Sequence, residues 1–195
     1  MNSEATSVSC IILAGGRGIR AGGLDKGLLP YENKSGENKT AKSKPLIEHV
    51  IDAVKNQVDD IVISANRNIE SYKSYSANVI GDASEDYQGP LAGIAACLKH
   101  CKHELVLVVA CDMPNLPGNL VTRLLSEIQN NSISIATVDR HHQLALIIKS
   151  NMLDSVQQHL KNNQLKLIQW VESVPYDTVS FNDMPAAFVN LNHLN

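Results

Sequence analysis

Aromatic side chains are scarce in this chain of 195 residues, at 4%, with one tryptophan and two phenylalanines. A platform that stacks nucleic-acid bases on rings would have very little to draw on. Neither sign of charge dominates. Seventeen Lys and Arg meet twenty Asp and Glu, a formal net charge of -3, so no basic field gathers a polyanion. Long apolar runs are missing as well: the strongest, residues 10–14 and 105–111, fall far short of the roughly 20 residues that cross a bilayer. Residues 1–9 hold an acid and no base, unlike the start of a secretory leader. The expectation is a cytoplasmic protein with no nucleic-acid or membrane partner. Cys10, Cys97, Cys101 and Cys111 contain no C-x-x-C pair and read as small buried hydrophobes in a reducing compartment. The competing reading of Cys97 and Cys101, which alternate with His100 and His103, is a soft-ligand metal cluster on one helical face.

What the chain does contain is ordinary globular material, 44% hydrophobic and 19% charged, in a length suited to one compact unit. Residues 1–195 are expected to form a single domain, with an exposed lysine-rich excursion at 33–44. VSCIIL (8–13) and ELVLVVAC (104–111) carry almost no polar positions, as strands covered on both faces do. Further strands are expected at 60–65, 78–80, 133–138, 144–148, 179–181 and 188–191. Apolar spacing predicts helices at 45–58, 90–98, 120–128, 152–160 and 165–171, with Pro45 in the first turn of the first. Strands alternating with helices argue an α/β fold, a three-layer sandwich on a mostly parallel central sheet.

In such sheets ligands bind beyond the carboxyl ends of the strands. The glycine-dense stretch after the first strand lies there. Gly15, Gly16, Gly22 and Gly23 let backbone amides approach an anion, and Arg17, Arg20 and Lys26 add positive charge, which together describe a polyphosphate cradle. A solvated surface loop is the other reading. A Walker A loop is excluded, because Lys26 is preceded by Asp25 and followed by Gly27. Gly16-x-Gly18-x-x-Ala21 meets a loose dinucleotide fingerprint, but glycines and Pro30 continue the loop where that motif must open a helix. Asp112 ends the most apolar strand, so its carboxylate is delivered on a rigid element. It reads as a metal ligand or as a turn aspartate before Pro114. Asp82 is a second acid at a strand end. His141 and His142, in the loop before the 144–148 strand, and Lys166, on a helix surface, are further candidates for substrate contact.

Leu13-Ala14-Gly15-Gly16-Arg17-x-x-Arg20, then Gly22-Gly23-Leu24-Asp25-Lys26-Gly27 and Lys44-Pro45-Leu46, resemble the signature of nucleotidyltransferases that activate a phosphate with a nucleoside triphosphate. Taken with Asp86-Tyr87-Gln88-Gly89-Pro90-Leu91-Ala92-Gly93, Cys111-Asp112-Met113-Pro114 and Phe188-Val189-Asn190-Leu191-Asn192, the ordered set resembles the molybdenum cofactor guanylyltransferase family across nearly the whole chain. The resemblance implies a Rossmann-like nucleotidyltransferase fold and a reaction between GTP and molybdopterin, with Mg2+ as cofactor. It implies that Leu13, Ala14, Gly15 and Gly16 contact the nucleotide, that Lys26 and Arg20 act on its phosphates, and that Asp82 recognises the guanine side. Asp112 would hold magnesium together with the nucleotide, and Asn190 and Asn192 would line the pterin site. Ser64 stands where relatives often carry a nucleotide-contacting asparagine, and Asn66 lies two residues on, expected on the same strand face. Other molybdenum cofactor biosynthesis proteins and apo-molybdoenzymes would be its partners.

Nucleotidyl transfer asks the protein mainly for alignment and charge neutralisation. A phosphate nucleophile is already ionised near neutral pH, so the lack of an obvious general base agrees with this chemistry. The competing readings are a cytidylyltransferase using CTP on the same acceptor, a sugar-phosphate nucleotidyltransferase, and a non-catalytic cofactor carrier that would not need Asp112.

Overall fold

A computed structural model describes residues 6–15, 25–32, 43–81, 89–128 and 131–191. Within them the chain runs β1 (Val8–Leu13), β2 (Pro30–Tyr31), β3 (Lys44–Pro45), α1 (Leu46–Val54), β4 (Asp60–Ser64), α2 (Ile69–Lys73), β5 (Val79–Ile80), α3 (Pro90–Leu98), β6 (Leu105–Ala110), α4 (Leu120–Glu127), β7 (Ile133–Val138), β8 (His141–Lys149), α5 (Leu153–Lys161), α6 (Leu167–Val171) and β9 (Asp177–Ser180). Seven strands form one sheet in the order β5-β4-β1-β6-β8-β7-β9. β5, β4, β1 and β6 are mutually parallel, β8 runs against both β6 and β7, and β9 is parallel to β7. The sheet is therefore mostly parallel with one reversed strand.

Every residue of β1 is buried, as are the last five of β6, because each face of the sheet is covered by helices. On one face Cys10, Ile12, Ile63 and Leu107 meet α1 and α4 through Ile47, Val50, Val54, Leu120 and Leu124. On the other, Ile11, Leu13, Val62 and Val108 meet α3, α5 and α6 through Leu91, Ile94, Val156 and Trp170. These two cores make the three-layer α/β sandwich that the alternating pattern predicts. Among the described residues no helix is long and apolar enough to cross a membrane.

Several local expectations are corrected. The strand expected at 144–148 begins at His141, so His141 and His142 are strand residues rather than loop residues. They follow a tight reversal in which Asp139 and Arg140 have φ of 48° and 66°, the pair of positive values that a two-residue hairpin of matching twist requires. The strand expected at 188–191 is instead a 3-10 turn, Pro185–Phe188, followed by a short extended stretch. Pro45 stands just before α1 rather than inside it, and pairs with Pro30 across the β2–β3 ribbon. That ribbon ties together the two ends of the excursion, whose residues 33–42 lie outside the described set. Neither the ribbon nor α2 is signalled by apolar periodicity.

Candidate active site

β1, β4, β5 and β6 all end at one edge of the sheet, where backbone hydrogen bonds carry the order past the last ladder rung. Ala14 N–H donates to the Ser64 carbonyl at 2.8 Å, Ala65 N–H to Ile80 at 3.0 Å, and Cys111 N–H to Leu13 at 3.1 Å. Gly15 follows on this shelf. A Cβ on Gly15 would stand 3.8 Å from the Asn66 amide nitrogen, and one on Gly81 would stand 3.5 Å from the Asn66 amide oxygen. The Asn66 side chain thus spans the ends of β1 and β5. Ser64 does something different: its hydroxyl turns toward α3, 2.5 Å from where a Cβ on Gly93 would be. Because β4 stops at Ser64, the strand-face relation expected between Ser64 and Asn66 does not hold. Ser64 lies buried under α3, while Asn66 lies on the shelf.

Lys26 opens a 3-10 turn, Lys26–Leu28. The turn is closed by Leu28 N–H to Asp25 O and Leu29 N–H to Lys26 O, both 3.1 Å, and tied to the start of α1 by Leu46 N–H to Leu29 O at 3.0 Å. From there the Lys26 ammonium pairs with Asp112 Oδ2 and donates to Asn190 Oδ1 at 3.0 Å. Asp112 follows directly after the end of β6. Its backbone carbonyl accepts from Leu191 N–H at 3.1 Å, which brings Asn190 alongside. The Asp112 carboxylate has one oxygen in the ion pair. The other, Oδ1, is buried and has no hydrogen-bond partner among the described residues, an open acceptor of the kind a cation or donor fills.

Three expected site residues, Lys26, Asp112 and Asn190, therefore meet in one cluster beside the shelf of Leu13, Ala14 and Gly15. Gly16, Arg20, Asp82 and Asn192 lie outside the described residues. Cys111, next to Asp112, offers no nucleophile: burial first, then the charges of Asp112 and Asp25, push its thiol far above the ordinary range. Asp25, Asn68 and Tyr72 form a further group that the sequence does not mark. The Tyr72 hydroxyl donates to Asp25 Oδ1 at 2.5 Å and the Asn68 amide to Asp25 Oδ2 at 3.0 Å, contacts that no local pattern announces.

His142 is engaged elsewhere. Its ring meets Tyr176 edge-on, with centroids 5.5 Å apart, and its Nδ1 is 4.0 Å from Glu172 Oε1. Lys166 is exposed at the start of α6. The soft-ligand cluster is not formed: Cys101 Sγ donates to the Cys97 carbonyl at 3.6 Å, His103 turns to Asp60 at 3.6 Å, and no group of three or more His, Cys, Asp or Glu among the described residues is arranged to hold a metal.

A lysine, a carboxylate with an open oxygen and a backbone shelf at the carboxyl ends of parallel strands suit a phosphate-bearing ligand by their chemistry, and the chain is similar to known proteins. The MobA-like NTP transferase domain matches residues 10–174. The chain belongs to that family. It is thus a nucleotidyltransferase by class. A molybdenum cofactor guanylyltransferase from Shewanella putrefaciens is 36% identical over 190 residues, covering 96% of this chain and 92% of that one. The molybdopterin-guanine dinucleotide biosynthesis protein A of Archaeoglobus fulgidus superposes with a TM-score of 0.71 at 20% identity, covering 94% of this chain and 92% of that one. A Mycobacterium tuberculosis H37Rv protein solved in complex with manganese superposes with a TM-score of 0.64 at 13% identity, covering 90% and 88%. These two likenesses speak to the fold alone.

Proposed function

We infer that this protein transfers GMP from GTP to the molybdopterin form of the molybdenum cofactor, yielding the guanine dinucleotide cofactor and pyrophosphate. The observation that carries the reading is the convergence of Lys26, Asp112 and Asn190 beside the Gly15 shelf, in a chain similar over 96% of its length to a guanylyltransferase of that name. Residues 1–195 act as one domain, in the cytoplasm, between the proteins that make molybdopterin and the apo-molybdoenzymes that receive the product.

The balance of the reaction is simple. An oxygen of the molybdopterin phosphate forms a bond to the α-phosphorus of GTP, the bond from that phosphorus to the α,β-bridging oxygen breaks, and the pyrophosphate leaves with the electron pair. A phosphate monoester with a second pKa of about 6 is already a dianion at neutral pH, so no residue need remove a proton. Leu13, Ala14, Gly15 and Gly16 present backbone to the nucleotide, with Asn66 at the shelf edge, Ser64 beneath it and Asp82 at the guanine end. Lys26 and Arg20 hold the phosphates and offset charge on the leaving group. Asn190 orients the Lys26 ammonium on the pterin side, where Asn192 would follow.

The donor set fits a divalent cation. Asp112 Oδ1 is a buried carboxylate oxygen with no partner among the described residues, and magnesium is commonly held by one or two carboxylates together with substrate phosphates rather than by an all-protein cage. When bound, magnesium would neutralise phosphate oxygens in the transition state.

The test is turnover of GTP, CTP and UTP by purified protein with molybdopterin and magnesium. Selective GMP transfer supports the reading. A preference for CTP moves it to cytidylyl transfer, and binding without turnover moves it to a cofactor carrier.

A further inference from the structure

Tyr72 belongs to no motif, lies on the five-residue helix α2, and has a side chain with no exposed surface. A phenol hydroxyl buried in an apolar core is costly unless it is bonded. Its bond goes to Asp25 Oδ1 at 2.5 Å, and the residue that opens the same helix, Asn68, supplies the other Asp25 oxygen at 3.0 Å from a left-handed backbone with φ of 51°. Asp25 immediately precedes Lys26. Gly27 immediately follows it, and a Cβ there would collide with the same Tyr72 hydroxyl and stand 3.4 Å from Cys111 Sγ. One hydroxyl therefore grips the chain on both sides of Lys26: by a hydrogen bond before it and by direct contact after it.

Lysine carries its charge on a long flexible stem, so where the ammonium stands depends on where its backbone is held. The neighbouring hydrogen bonds of the turn fix its curvature, but they are internal to residues 25–29 and to the start of α1. The contacts from Asp25 and Gly27 to α2 dock the turn onto the body of the fold under the end of β6.

We propose that Tyr72, through Asp25 and Gly27, is a positioning residue that sets the Lys26 ammonium between Asp112 and Asn190. This rests on the reading of Lys26 as the cation that meets the nucleotide phosphates. Tyr72 touches neither substrate nor reacting atom. Burial first, and the Asp25 carboxylate to which it is bonded, raise its phenol above the ordinary range, in keeping with a hydroxyl that donates.

The experiment compares steady-state kinetics for GTP, with molybdopterin and magnesium, in wild type, Tyr72→Phe, Lys26→Ala and the double variant, alongside thermal melting. Tyr72→Phe keeps the ring and its volume. It is expected to melt close to wild type and to lose about tenfold in kcat/KM, the scale on which small misplacements act. In the Lys26→Ala background it should cost nothing further. Wild-type kcat/KM in Tyr72→Phe, or an equal loss in both backgrounds, overturns the proposal. If Lys26→Ala alone turns over GTP like wild type, the reading of Lys26 falls, and the proposal with it, in an arm that does not involve Tyr72. Asp25 provides a second route should Tyr72→Phe not fold. Asp25→Asn keeps an oxygen for the hydroxyl and should retain most activity, whereas Asp25→Ala should fall as Tyr72→Phe does; an Asp25→Ala enzyme as active as wild type also overturns the proposal.

Discussion

Lys26 and Asp112, 86 positions apart in sequence, close an ion pair that uses one carboxylate oxygen and leaves the other buried and open among the described residues. On the proposed function Lys26 would supply charge for phosphates on one side of the pair, and the open Asp112 oxygen would take a cation on the other.

Asp112→Asn should therefore preserve the fold and lower GMP transfer by on the order of 10²-fold or more. Calorimetric titration with GTP, with and without magnesium, checks the cause: the magnesium-dependent part of the binding should vanish in the variant. Unchanged magnesium dependence would remove Asp112 from the metal site.

Asn190 separates two effects. Asn190→Ala removes one acceptor from the Lys26 ammonium, while Asn190→Asp places a second negative charge where phosphates must approach. The expected order of kcat/KM is wild type, then alanine, then aspartate, with the aspartate variant the most sensitive to added salt because its defect is electrostatic.

Gly93 is required by contact rather than by conformation. A Cβ there would be 2.5 Å from Ser64 Oγ and 3.0 Å from Leu13 Cδ2, so Gly93→Ala should destabilise the protein by about 1–3 kcal/mol, as overpacked cores do. Ser64→Ala in the same chain should return part of that loss. Urea unfolding of Gly93→Ala, Ser64→Ala and the double variant gives the answer.

The thiols predict an alkaline weakness. Cys10, Cys101 and Cys111 are each raised above the ordinary value of 9.0, in every case chiefly by burial, and Cys101 reaches about 12. In the unfolded chain these groups ionise at about pH 8.5 to 9, so above that pH the folded state holds more protons. The stability they contribute is intact below about pH 8.5 and is lost progressively as pH rises toward the folded values. The urea midpoint should fall between about pH 8 and pH 10.5, and Cys101→Ala should shrink the fall.

β1 and β6 can be read directly from VSCIIL and LVLVVA because a strand covered on both faces has no polar register to hide it. The start of β8 is concealed for the opposite reason. His141, His142 and Gln143 extend past the last rung with β6, at Ala145, and lie partly in the open, so they carry the polar composition of a loop. FVNLN has the alternation of a strand, yet the described part of it makes a single backbone bond to the sheet edge, from Leu191 to Asp112. Motif order brings Lys26, Asp112 and Asn190 to notice separately. That they meet depends on topology: a 3-10 turn, a strand end and a returning tail converge at one edge, and no local spacing encodes that. Tyr72 is the extreme case, since an aromatic on a five-residue helix resembles any core residue until its hydroxyl is seen to end on Asp25.

The bond from Leu191 to Asp112 also divides the sheet from the cluster at its edge. All seven strands lie before Asn190 in sequence, whereas the acceptor beside Lys26 comes only with the tail. A chain cut after Phe188 would keep every strand of the sheet and lose both the Asn190 contact to Lys26 and the backbone tie at Asp112.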